Sequence, residues 1–191
     1  MELVVVAGIF IVLSGIILAD LRTGNRGQIL QGAADEMASR IKHAQDLAYS
    51  STKQNICSTD GKVCLSGSAC DPSYPANCSM QYVTQYGVAF NVGSSSKYMI
   101  GADYSSLGAY TTGEAIPNGL VTLPANIVIN SVTPNITAPN YNLVFQYNST
   151  NASPFMPCAS NCKTTVVLKD NVSNRTKTVV YRVQTGLVTV E

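Results

Sequence analysis

The hydrophobic pattern of this chain has three regimes. From Leu3 to Ala19 no ionisable residue occurs, and Ser14 is the one polar side chain in the run. A stretch apolar on every side predicts a helix surrounded by lipid or by other helices. Further on, the pattern narrows. In GQILQGAADEMASRIKHAQDLAYSS, Leu30, Ala33, Met37, Ile41, Ala44 and Ala48 recur at spacings of three and four. That spacing makes one apolar stripe on a helix, with Asp35, Glu36, Arg40, Lys42 and Asp46 mostly off it. Glu36 and Arg40 stand four residues apart and can pair for a few tenths of a kcal/mol. A single helix from residue 2 to about residue 50 would be roughly 70 Å long. The weak point is TGNRG, since Gly24 and Gly27 each cost about 1 kcal/mol relative to alanine inside a helix. A bend or a melted turn is expected there.

After residue 50 the period becomes two. ICSTDGKVCL reads as a hairpin in which Asp60-Gly61 makes the tight turn and Cys57 faces Cys64. Strand candidates follow at MQYVTQYGVAFNV, KYMIGAD, LVTLP, NIVINSVT, NLVFQYN, KTTVVLKD, KTVVYRVQ and GLVTVE. They are rich in Val, Ile, Thr and Tyr and are broken by Gly, Pro and Asn. LKDNVSNRTKTVVYRV reads as a C-terminal hairpin. The expected architecture is α+β, a long N-terminal helix whose second half packs on one antiparallel sheet. It divides the chain into an apolar helix over 1–25, an amphipathic helix over 26–50 and a β-rich head over 51–191.

Composition changes this picture in one respect. The 191 residues carry a net charge of +1 and only 12% charged residues, which gives no electrostatic reason to expect a nucleic-acid site. The six cysteines, Cys57, Cys64, Cys70, Cys78, Cys158 and Cys162, all follow the apolar run. An even set at short spacings points to disulfides and an oxidising compartment. The rival is zinc, but no C-x-x-C pair occurs and the single histidine, His43, lies in the helical stretch. Keeping every bridge local gives 57–64, 70–78 and 158–162 as the expected pairing, one of fifteen connectivities. No metal site and no cofactor are expected. Enzyme chemistry is not expected either, since there is no G-x-S-x-G and no phosphate-binding glycine loop.

The apolar run raises a problem of orientation. Seventeen uncharged residues span about 26 Å, slightly short of a ~30 Å hydrocarbon core. Its near flank carries Glu2 where a signal peptide would carry a base, and its far flank carries Asp20, Arg22 and Arg26. The positive-inside tendency would place those arginines, and with them the cysteines, in the cytoplasm. That conflicts with disulfides. A basic leader preceding residue 1 and later removed would resolve the conflict, and such processing is the expectation here.

ELVVVAGIFIVLSGIILADLR resembles the acidic residue and hydrophobic segment that open the type IV pilin-like family, which includes the pseudopilins of type II secretion. AADEMASRIKHAQDLAYSS is similar to the amphipathic helix of the H-type pseudopilins. YGVAFN…KYMIGAD, LP…IVI and VVYRVQTGLVTV are similar, more loosely, to that subgroup's strand blocks. The resemblance implies a subunit that polymerises with copies of itself through N-terminal helices into an extracellular pilus-like filament. It implies residence in the cytoplasmic membrane before assembly, a prepilin peptidase and pilus assembly machinery as partners, and N-terminal processing and methylation. Glu2 would then be the assembly residue, and a stretch that melts on assembly would lie around Gly15 or at Gly24–Gly27. A carboxylate buried among helices is expensive unless paired, and the free α-amine of a neighbouring chain would neutralise it and fix the register. The family's glutamate lies a few residues further into the mature chain, so about three residues and a leader are expected before Met1. A minor pseudopilin and a membrane-anchored surface-binding domain are the competing readings.

Sequons of the form N-x-S/T stand at Asn77, Asn135, Asn148, Asn151, Asn171 and Asn174. They are candidate glycosylation acceptors wherever they lie in exposed loops.

Overall fold

The computed structural model describes residues 2–50, 53–57, 63–64, 78–83, 85–90, 96–103, 115–133, 143–146 and 163–191. Helix α1 runs Glu2–Tyr49. Its side chains are described at residues 6, 8, 10 and 12–15 and from residue 24 onward. Ten strands follow: β1 Lys53–Cys57, β2 Cys78–Tyr82, β3 Gln85–Phe90, β4 Lys97–Asp103, β5 Ala115–Thr122, β6 Ile127–Thr133, β7 Leu143–Gln146, β8 Lys163–Asp170, β9 Thr176–Arg182 and β10 Leu187–Val190.

The expectation of a long helix packed on a single-sheet head is corrected. The described residues are mostly β, and the helical stretch that forms part of the core covers about 26 residues, 24–49. The strands form three sheets, β1-β2, β5-β4-β3-β7 and β10-β9-β8-β6, all antiparallel. The physical reason is that one helix stripe is shared between two sheets. Helix α1 touches β3 and β7 of one sheet and β8, β9 and β10 of another. Leu30, Ala33, Met37, Ile41, Ala44 and Ala48 are each buried, and the alanines among them leave room for both sheets to approach. The rings of Phe145 on β7 and Tyr181 on β9 meet edge to face at 5.5 Å, joining the two sheets directly.

Strand β3 is buried along its whole length, which marks it as covered on both faces. Tyr86, Val88 and Phe90 enter the main core with α1, while Ala89 joins Met99, Ala115 and Val144 in a small cluster on the far face. Strand β8 alternates instead, with Thr164, Val166, Leu168 and Asp170 turned inward. A carboxylate therefore occupies an inward position at the end of β8.

The expected hairpin at ICSTDGKVCL is also corrected. Ile56 forms a bridge with Val63, and the Cys64 N–H donates to the Asn55 carbonyl at 2.8 Å. Asn55, not Cys57, thus faces Cys64, a register two residues away from the expected one. Strand β1 takes β2 as its ladder partner, with Cys57 opposite Cys78. The Asp60-Gly61 turn lies outside the described residues. MQYVTQYGVAFNV, read as one strand, contributes β2 and β3 to different sheets.

Candidate assembly surface

A groove of about 460 Å³ lies where α1 meets the turns that follow β5 and β8. Each wall has a local cause. On the helix side stand Asn25 and Arg26, within TGNRG, and Ile29 just beyond it. Helix α1 runs through Gly15, Gly24 and Gly27 as one uninterrupted element. Gly27 has a different use. A β-carbon built there would meet Arg175 Nη1 at 3.2 Å, so the helix passes close to the β8–β9 turn.

Opposite the helix, Pro124-Ala125-Asn126-Ile127 forms a tight turn closed by the Ile127 N–H donating to the Pro124 carbonyl at 3.1 Å. Asn126 sits at φ 69°, a conformation that asparagine tolerates and that a type II turn requires at this position. The Asn171 N–H donates to the Asn126 carbonyl at 2.9 Å and ties this turn to the next.

The floor is Asp170. Its Oδ1 accepts the Val172 N–H at 3.0 Å, and its Oδ2 accepts the Ser173 N–H at 3.3 Å and the Ser173 hydroxyl at 2.6 Å. The backbone closes the same turn, with Asn174 N–H donating to the Asp170 carbonyl and Asp170 N–H to the Arg175 carbonyl. Arg26 Nη1 lies 3.7 Å from Asp170 Oδ1. The Ser173 hydroxyl and the Val172 N–H hold the Asp170 carboxyl below the usual carboxylate range; burial opposes them, and Arg26 adds a smaller lowering effect. The carboxylate is thus a fixed structural anion that organises the turn and holds it to α1. Sequence patterning did contain this signal, because Asp170 falls in the inward phase of β8 and has Ser three residues later.

The expected site residues are distributed as follows. The Glu2 side chain lies outside the described residues, as do Cys70, Cys158 and Cys162 and the sequons Asn77, Asn135, Asn148 and Asn151. A β-carbon added at Gly15 would meet nothing within 4 Å, and Asn171 and Asn174 are both exposed on the β8–β9 turn. Cys64 is bonded to Cys78, which overturns the 57–64 and 70–78 pairings. Cys57 is also disulfide-bonded and packs against both of them. The reason is the register: Cys57 and Cys64 do not face each other, while Cys78 ends beside β1 at the same level. His43, Asp35, Glu36 and Asp46 are exposed on α1, with Glu36 and Arg40 3.6 Å apart. Among the described residues no group of three metal-ligating side chains converges.

The N-terminal half of α1 presents the other candidate surface. Val6, Phe10, Val12 and Leu13 are 52%, 67%, 62% and 51% exposed, so no part of the described head covers them. Among the described residues no helix is long and apolar enough to cross a membrane. No family model matches the chain, and neither a curated protein nor a solved structure matches it.

Proposed function

We propose that this protein is the structural subunit of an extracellular filament of the type IV pilus kind, polymerising through the N-terminal part of α1. The observation that carries this reading is the contrast within one helix. Residues 30–48 bury a stripe in the head, while Val6, Phe10, Val12 and Leu13 stand uncovered on the same helix. Apolar side chains left in water at a helix surface call for a partner surface or a lipid phase. A bilayer serves one copy, and the helices of other copies serve a polymer. The disulfide at the β1–β2 end supports an oxidising exterior for the head. Glu2 is assigned to inter-chain pairing on the sequence argument alone.

Shearing cells that express the chain and imaging the released material tests this reading. Abundant filaments built of the chain support it. Trace amounts confined to filament tips favour a minor pseudopilin, and complete retention in detergent-soluble membrane favours a permanently anchored surface domain.

A further inference from the structure

We propose that Asn174, on the turn between β8 and β9, is a modification site that carries an N-linked glycan. The turn holds two acceptor motifs in succession, Asn171-Val172-Ser173 and Asn174-Arg175-Thr176. A transferase needs an exposed asparagine amide and, two residues on, a hydroxyl that it can bind. Both asparagines are exposed, but the two hydroxyls differ. In the first motif the Ser173 hydroxyl donates to Asp170 Oδ2 at 2.6 Å, a charge-assisted bond. The Val172 and Ser173 N–H groups are held by the same carboxylate, and the Asn171 N–H by the Asn126 carbonyl. In the second motif Asn174, Arg175 and Thr176 are all exposed. Among the described residues no hydrogen bond engages the Asn174 side-chain amide or the Thr176 hydroxyl. The Asn174 N–H donates to the Asp170 carbonyl at 2.9 Å and its φ is 56°, so a fixed turn presents a free amide.

The reaction is a glycosyl transfer from a sugar carried on a lipid diphosphate. Asn174 Nδ2 bonds to the anomeric carbon, and the bond from that carbon to the phosphate oxygen breaks. The lipid diphosphate leaves with the electron pair, and the amide gives one proton to a base of the transferase. The compartment fits this chemistry. The Cys64–Cys78 bond supports an oxidising exterior, the side of the membrane on which such donors are used. The inference needs only that compartment and does not depend on polymerisation. A bulky, hydrated glycan also suits a chain of which only 12% of residues are charged.

The test is peptide mapping of the full-length protein taken from cells that make it. Trypsin cleaves after Lys169 and Arg175, so both asparagines leave in one peptide, Asp170–Arg175. Electron-transfer fragmentation keeps a glycan on its own residue and assigns it. The glycan is expected on Asn174, with Asn171 occupied at about a tenth of that level or less, because Ser173 must first leave a charge-assisted bond. Thr176→Ala, at an exposed position, is expected to remove the glycan while Asn174 remains, and Asn171→Gln to leave it in place. An unmodified peptide overturns the proposal. Equal occupancy of the two asparagines also overturns it, since the folded turn then selects neither. A glycan that survives Thr176→Ala is attached by another chemistry and overturns it as well. None of these outcomes reads polymer formation, so the filament reading stands or falls separately.

Discussion

Arg26 on α1 lies 3.7 Å from Asp170 at the end of β8, and this pair joins the helix to the head at the point where the apolar half begins its departure. Arg26 is 39% exposed and Asp170 only 5%, so the two partners are not equivalent. The carboxylate holds a turn from inside, and the guanidinium reaches it from solvent.

That asymmetry predicts a rank order of damage. Asp170→Ala removes the acceptor of three hydrogen bonds and leaves the Val172 and Ser173 N–H groups without it, so its thermal midpoint falls well below that of the parent chain. Arg26→Ala removes one solvent-exposed partner and shifts the midpoint little. Circular dichroism melts of the two variants decide it, and a larger loss for Arg26→Ala would refute the role given to Asp170.

The pH dependence has a definite sign. The folded Asp170 carboxyl titrates below its ordinary value of 3.8, so the unfolded chain binds a proton first as pH falls. Its contribution is present in full above that value and is lost as pH drops through the folded one. The difference in midpoint between the parent and Asp170→Asn is therefore expected to shrink on acidification through the carboxylate range. A difference that is flat with pH would count against it.

Gly186 predicts a backbone effect. Its φ is +63°, and a β-carbon there would come 2.5 Å from Gln45 Nε2, a buried side chain of α1. Gly186→Ala combines the left-handed penalty with a clash and is expected to cost about 1–3 kcal/mol in urea unfolding. Gly24→Ala, where nothing lies within 4 Å, is expected to stabilise the helix by up to about 1 kcal/mol.

The helix stripe predicts a third contrast. Met37 and Ile41 are 0% and 1% exposed between the two sheets, and truncating either to alanine is expected to cost about 2–5 kcal/mol. His43→Ala, on the exposed side of the same helix, is expected to change stability by less than about 0.5 kcal/mol.

Disulfide connectivity is open to direct chemistry. Non-reducing peptide mapping is expected to return a Cys64–Cys78 peptide and no Cys57–Cys64 peptide. Replacing Cys64 and Cys78 together by serine is expected to lower stability by about 3 kcal/mol, from the loss of a closed loop with a sequence separation of 14.

Much of the local structure was legible in the residues. KYMIGAD and KTTVVLKD coincide with β4 and β8, and the C-terminal hairpin pairs β8 with β9 as its turn residues imply. The buried stripe from Leu30 to Ala48 follows from spacing alone. Register and partner choice were not legible. Nothing local separates Cys57 facing Cys64 from Cys57 facing Cys78, because both satisfy alternation. The Arg26–Asp170 pair brings together residues 144 positions apart in sequence, and only β8 folding beneath α1 places them side by side.

By itself, then, the sequence determined several of the strands, such as β4 and β8, and which face of α1 is apolar over residues 30–48, because those properties depend on period and on neighbours a few residues away. Tertiary structure alone decided that the strands divide into three sheets, that one helix stripe serves two of them, and that Cys64 bonds Cys78. It also decided that Asp170 closes the base of the groove. These are outcomes of packing between distant segments, where many pairings satisfy the local pattern and only the shared core selects among them.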